Sequence, residues 1–311
     1  MTYQLTSDQR DLLEGLGAIT ARQAGPARAM ELGIGAHDDR LWQTLADSGY
    51  LDVVRGPDTG PLEAALVVEA LAAAGALVAA ASSTLIAPAV VDGAVDGPVA
   101  VADCRSPLVR FAPVARTLIG LDGGEAVLVT DVVGDEIVTV KTTFGVPVGR
   151  VPAGLWDRGK RLGAGSGALL RSWWQVAVAV EQAGLLATAL TMTVDYVNQR
   201  EQFGHPIAGF QAVRHRLAEC AVLVEATRWL ALEAAALGAA PEAAATACTY
   251  ATAAAKQVVA ETHQLTGAMG FTTEYPLHLF TTRAQGLTLE LGGLDAHSRA
   301  ISAARWNARA T

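Results

Sequence analysis

Apolar positions recur along the chain with two different periods, and the change of period divides it into three zones. From Ser7 to about Val91 the spacing is helical. Leu12, Leu13, Leu16 and Ile19 make one apolar stripe, with Ser7 placed to cap the helix and Asp8 in its first turn. Asp38 and Asp39 open a second helix carrying Leu41, Trp42 and Leu45, and Gly49 suits its end. Pro61 suits the first turn of the next helix, which is predicted to run through the alanine-rich segment, with Pro88 as a break.

From Gly97 to Lys160 the texture changes. Short β-branched runs (Val99–Val101, Ala126–Val129, Glu136–Val140) alternate with turn signals at Asp122-Gly123-Gly124, Gly134-Asp135 and Val151-Pro152-Ala153-Gly154. This predicts a small antiparallel β unit. From Gly167 onward the helical period returns. Val176, Val180, Ala183, Ala187, Leu190, Val194 and Val197 alternate spacings of four and three along one long helix. A second helix carries Val213, Leu217, Cys220, Val224, Leu230 and Ala234 and ends near Gly238. A third starts at Pro241 and runs to about Leu265, and a last one follows Gly293. Long antiparallel helices with short links predict a four-helix bundle. The expected divisions are therefore residues 1–96 helical, 97–160 β and 161–311 a helical bundle, a mainly α protein.

Composition narrows the functional classes. Of the 311 residues 51% are hydrophobic, 5% aromatic and 17% charged, and Ala is about one residue in five. That mixture favours closely packed helices over a sandwich or barrel. A net charge of -8 with no Lys/Arg run argues against a nucleic-acid partner. Cys104, Cys220 and Cys248 are far apart and form no CxxC pair, and no two histidines stand at i,i+4. A disulfide framework or metal site is not expected, and a reducing cytoplasm is. Met1 leads into polar residues, so no signal peptide is expected. The apolar run Ala70–Ala81 is too short and too weakly apolar to span a bilayer.

Two blocks carry candidate chemistry. The first is Tyr196-Val197-Asn198-Gln199-Arg200-Glu201-Gln202-Phe203-Gly204-His205-Pro206-Ile207, followed by Phe210-Gln211 and His215-Arg216-Leu217-Ala218. Arg200 and Gln202 at a helix end offer a guanidinium and an amide to a pyrophosphate. The second is Gln264-Leu265-Thr266-Gly267-Ala268-Met269-Gly270-Phe271, a glycine turn that lets backbone N–H groups approach a phosphate or adenine. The blocks resemble the Y-x-x-x-R-x-Q-F-G-x-P-[IL] and Q-x-x-G-G-x-G-[FY] signatures of the acyl-CoA dehydrogenases. Tyr275-Pro276 follows as in that family, and Leu41-Trp42-x-x-Leu45-Ala46-x-x-Gly49-Tyr50-Leu51 is similar to its early helix. The order helices, β unit, helices is also the family's.

The resemblance implies the acyl-CoA dehydrogenase fold and FAD-dependent α,β-dehydrogenation of an acyl-CoA thioester. In the family these two blocks reach across a subunit interface to the flavin held by the neighbour. Carried over, the cofactor-contacting residues are Arg200, Gln202, Phe203, Gln211, Gln264, Gly267 and Ala268, with Ala268 standing where the family has Gly. The departures also inform. The family's catalytic Glu, aligned through Pro276 and Ala284, falls on Leu291, with Gly292 and Gly293 after it. Glu290 lies one residue early. The base position used by other members falls near Ala240, close to Glu242. The β unit lacks the T-E-P-x-x-G-S-D and W-I-[ST]-N segments that hold a subunit's own flavin, and Ala102–Pro107 stands in that place.

The pattern resembles the shorter, non-catalytic subunit of the heteromeric (α2β2) acyl-CoA dehydrogenases of steroid-degrading actinobacteria. It implies a catalytic partner subunit that holds most of the FAD and the acyl-CoA, with this chain completing the flavin site. Two alternatives stay open: a self-sufficient dehydrogenase using Glu290, and a helical scaffold related by descent only. Read from residues alone, Glu290 is a solvated or capping carboxylate, with a base as the alternative. Gly163-Ala164-Gly165-Ser166-Gly167 imitates a phosphate loop, but without a βαβ unit it reads as a flexible lead into the long helix. His263 reads as a helix-end residue, and Trp173 and Trp174 as core or subunit interface.

Overall fold

The computed structural model describes residues 4–307. The first zone holds α1 (Ser7–Gln23), α2 (Pro26–Leu32), α3 (Asp39–Asp47), α4 (Pro61–Ala73) and α5 (Ala87–Val90). Local chemistry sets their ends. Thr6, and not Ser7, caps α1: its hydroxyl accepts from the Gln9 N–H while the Gln9 side chain accepts from the Thr6 N–H. Asp38 caps α3 through the Leu41 N–H at 3.1 Å and also holds Arg28 at 2.8 Å. Pro61 occupies the first turn of α4, and Glu63 caps it by accepting from the Gly60 N–H. Helix α4 does not run through the alanine-rich segment. It stops at Ala73, because Gly75 takes a left-handed turn (φ 70°). Pro88 is likewise no break: the helix runs on through it, with a π-helical turn at Ser82–Ile86 leading directly into α5.

The middle zone holds β1 (Val99–Asp103), β2 (Leu108–Arg110), β3 (Thr117–Asp122), β4 (Glu125–Val129), β5 (Val138–Val140), β6 (Val148–Arg150) and β7 (Lys160–Arg161), with α6 (Ala153–Asp157) before β7. Two small sheets form, in the orders β1-β3-β4-β7 and β2-β6-β5. The expectation of a wholly antiparallel unit is corrected, since β1 pairs in parallel with β3 (Val99 opposite Thr117). Glu136 and Ile137 also lie outside β5; Glu136 sits in a 3-10 turn and pairs with Arg158 at 2.7 Å. Pro152 leads into α6 rather than a simple turn.

The last zone holds α7 (Ser166–Gln199), the two-residue strands β8 (Glu201–Gln202) and β9 (His205–Pro206), α8 (Gln211–Ala236), α9 (Pro241–Thr266), α10 (Leu277–Leu287) and α11 (Gly293–Ser302). Helices α7 to α10 make the bundle and α11 packs on α9. Residues 172–186 of α7 are buried on every side, because α4 covers the face that α8 to α10 leave open. Gly184 permits that crossing, for a methyl there would overlap the Glu69 carbonyl. Helix α7 is long and apolar enough to cross a membrane, but 72% of its most apolar window is buried in this core, as for the central helix of a globular bundle. The glycines before α7 are not a loose lead: Ser166 Oγ donates to the Gly163 carbonyl and accepts from the Ala126 N–H at 2.8 Å, tying the helix start to β4.

Candidate functional site

The two sequence blocks come to one end of the bundle. Helices α7 and α9 run the same way, so Arg200 after α7 and Gly267 after α9 emerge together. Tyr196, one turn before Arg200, packs on Tyr275 (ring centroids 5.7 Å apart), whose hydroxyl donates to the Met192 carbonyl at 2.6 Å. Between β8 and β9 the chain reverses through Phe203 (φ 56°) and Gly204 (φ 82°), the positive pair a two-residue hairpin needs. A bulky residue rarely accepts that backbone. Phe203 does, and its ring stands 89% exposed, steadied edge-on by Phe210 at 6.0 Å.

Every sequence-predicted contact residue at this end faces outward. Arg200, Gln202, Gln211, Gln264, Gly267 and Ala268 are all exposed. The Arg200 guanidinium has no hydrogen bond or ion pair among the described residues. Gln264, Gly267 and Ala268 line a groove of about 930 Å³ between α9 and α10, together with Lys256, His263 and Phe271. Gly267 adopts φ 58°, ψ -141°, a conformation reserved for glycine. His263 braces the turn: Nε2 lies 3.0 Å from Thr281 Oγ1, and the ring stacks on Phe271 at 4.7 Å. Because Thr281 Oγ1 also donates to the Leu277 carbonyl, the His263 Nε2–H is the donor in that pair. Burial, then His278, lowers the His263 pKa and keeps the ring neutral. His263 is thus the helix-end residue the sequence suggested, with a positioning duty the sequence did not signal.

Glu290 is elsewhere, in a cleft of about 700 Å³ between the β unit and the bundle. It is neither solvated nor a helix cap. Its side chain is 15% exposed, and Oε1 accepts from Arg110 Nε at 2.8 Å. The other edge of the Arg110 guanidinium meets buried Glu181 of α7 at 3.1 Å. Burial pushes the Glu290 carboxyl above its ordinary value, and Arg110 and Trp174 pull it only part of the way back. For Arg110 burial opposes the charge, but the two carboxylates outweigh it and hold the group above its usual range. Leu291, at the family's base position, has φ 53° and is followed by two left-handed glycines. Glu242 pairs with Arg305 at 3.1 Å and lines neither cavity. Sequence reasoning missed Arg110, for a single arginine on a three-residue strand carries no motif. Among the described residues no cluster of three or more His, Cys, Asp or Glu side chains could hold a metal.

Comparison with known proteins identifies the C-terminal domain. A model of the acyl-CoA dehydrogenase C-terminal domain matches residues 173–306, which include both blocks and the Glu290 turn. Residues 173–306 are an acyl-CoA dehydrogenase C-terminal domain. The acyl-CoA dehydrogenase IpdE2 of Mycobacterium tuberculosis is 39% identical over 111 residues. That alignment covers 36% of this chain, and the chain spans about a third (35%) of the relative's own length. The solved ChsE4-ChsE5 complex from Mycobacterium tuberculosis superposes with a TM-score of 0.79 at 24% identity, over 97% of this chain and 98% of that one. A Tcur3481-Tcur3483 steroid ACAD variant gives the same TM-score at 25% identity, over 98% and 99%. The chain thus shares the overall architecture of these solved proteins, β unit included.

Proposed function

We propose that this acyl-CoA dehydrogenase chain is the flavin-completing, non-catalytic subunit of a heteromeric enzyme that dehydrogenates an acyl-CoA thioester in the cytoplasm. The observation that carries the reading is the contrast at Arg110 and Arg200. The carboxylate next to the family's base position is committed to an internal arginine, while the Arg200 guanidinium points out of the molecule, unpaired among the described residues.

The outward set fits FAD chemically. An exposed guanidinium and three amides suit a pyrophosphate and its nucleotide, the glycine turn offers backbone N–H groups, and the exposed Phe203 ring offers an apolar face. Arg200 would hold the phosphates, Gln202, Gln211 and Gln264 would orient the nucleotide, and Phe203, Gly267 and Ala268 would close over it. When bound, FAD supplies the acceptor for the electrons removed from the Cα–Cβ bond. In this reading the α-proton leaves to a carboxylate of the partner subunit, which also holds most of the acyl-CoA. This chain binds, orients and excludes water. Both structural relatives described above support a two-chain assembly, and the second supports a steroid-derived acyl group.

A self-sufficient enzyme using Glu290 is the second reading, favoured by one observation: the Glu290 carboxyl is raised and lines a cleft. Against it stands Arg110, which stabilises the carboxylate and blocks it as a base. One experiment separates the two. In the reconstituted complex Glu290→Gln is expected to keep full turnover while Arg200→Ala loses flavin. Abolished turnover in Glu290→Gln with FAD still bound would overturn the proposal.

A further inference from the structure

The cleft that holds Glu290 has a use left over once its ion pairs are counted. Three arginines line it, and two are satisfied internally: Arg105 by Asp103 at 2.8 Å and Arg110 by Glu181 and Glu290. The third, Arg171 on the second turn of α7, is half-buried and has no hydrogen bond or ion pair among the described residues. Its charge is felt in the cleft region, since it helps to lower both Asp103 and His297.

Beside the triad, Arg283 is 7% exposed, likewise without a hydrogen bond or ion pair among the described residues. Its stem packs against Gly145, next to the Phe144 that lines the cleft. Of the groups that line the cleft, three are arginines and two are carboxylates (Asp103 and Glu290), so the surplus is cationic. A buried cation without a partner is costly, and an anion entering the cleft offsets it. Apart from Ser106 and Thr142 the remaining walls are apolar, Trp174, Phe144 and Leu291 among them, with Leu289 exposed at the rim.

We propose that this cleft binds an amphipathic carboxylate, with its apolar body against Trp174 and Phe144 and its anion on Arg171. The site is for binding and not for chemistry, because Glu290 is engaged by Arg110. A ligand there touches β2, α7 and the turn after α10 at once, so it braces the β unit against the bundle. The inference rests on the cleft alone and stands whether or not the chain completes a flavin site.

The test uses the full-length chain, decanoate as probe and decanol as its uncharged counterpart, read by calorimetry and by the thermal midpoint. Decanoate is expected to bind and to raise the midpoint, with decanol at least tenfold weaker. Arg171→Gln should weaken decanoate at least tenfold without changing decanol, and Arg171→Lys should recover part of the loss. Arg171→Gln that leaves decanoate affinity unchanged, decanol binding as tightly as decanoate, or no decanoate binding would each overturn the proposal. FAD retention in the complex, measured on the same variants, is expected to stay unchanged. A fall there with decanoate binding intact would count against the separateness of the two sites.

Discussion

One chain presents its arginines under two opposite conditions. At the outer end Arg200 leaves a helix terminus, exposed and with its guanidinium unpaired among the described residues, beside an aromatic held in a strained left-handed turn. At the inner face Arg110 is four-fifths buried and bridges two carboxylates from different elements. The first arrangement stores unmet hydrogen-bonding capacity where another molecule can reach it. The second spends its capacity inside the fold. The difference teaches where hydrogen-bonding capacity has been left open and where it has been closed; on the proposed function, the closed corner is the family's catalytic one and the open end is the half-site that serves a neighbour.

The comparison can be broken at its inner half first. Arg110→Ala leaves two buried carboxylates facing each other without a cation, a loss of about 3–5 kcal/mol of stability. Urea unfolding would measure it, and a loss below about 1 kcal/mol would mean that the triad holds little together. At the outer half, Arg200→Ala should leave urea stability within about 0.5 kcal/mol, as for an exposed site. The same change should weaken FAD retention in the complex by about 1.5–3 kcal/mol, the worth of a hydrogen bond to a charged group. Equilibrium dialysis of the flavin would measure that loss, and unchanged retention would remove Arg200 from the site. Gly267→Ala forces a side chain into a glycine-only conformation at a cost of about 1–3 kcal/mol. Nothing crowds the new methyl, so the loss should appear as a displaced turn and weaker flavin retention rather than as a clash.

The smallest effect sharpens the inner half by pH. The folded pKa of Glu290 is raised above its ordinary 4.5. Its stabilising contribution is therefore full below that value and lost as pH rises through the raised one. Glu290→Gln cannot titrate. Wild type should lose stability relative to that variant as pH rises from acid to neutral, and urea unfolding of both across the range would show it. A stability difference that does not change with pH would mean that the carboxylate is not desolvated as described.

How much of this was legible beforehand follows from the range of the interactions involved. The stripe Val176, Val180 and Ala183, the lead-in at Pro241 and the cap at Asp38 are local signals, and the helices stand where those signals placed them. The end of α4 was missed because Gly75 was outvoted by the alanines around it. The parallel pairing of β1 with β3 was missed because register between distant strands leaves no mark in either strand. At the outer end the proposed contact residues were readable as candidates because two contiguous motifs carry them. The inner triad was not: Arg110, Glu181 and Glu290 stand 71 and 180 residues apart and meet only in the folded chain.

Flavin stoichiometry tests the central claim most directly. This chain, tagged and purified alone, is predicted to carry almost no FAD, and purified with its catalytic partner to give a single FAD for each pair of unlike chains. A yellow, active homodimer of this chain with one FAD in every subunit would contradict the account.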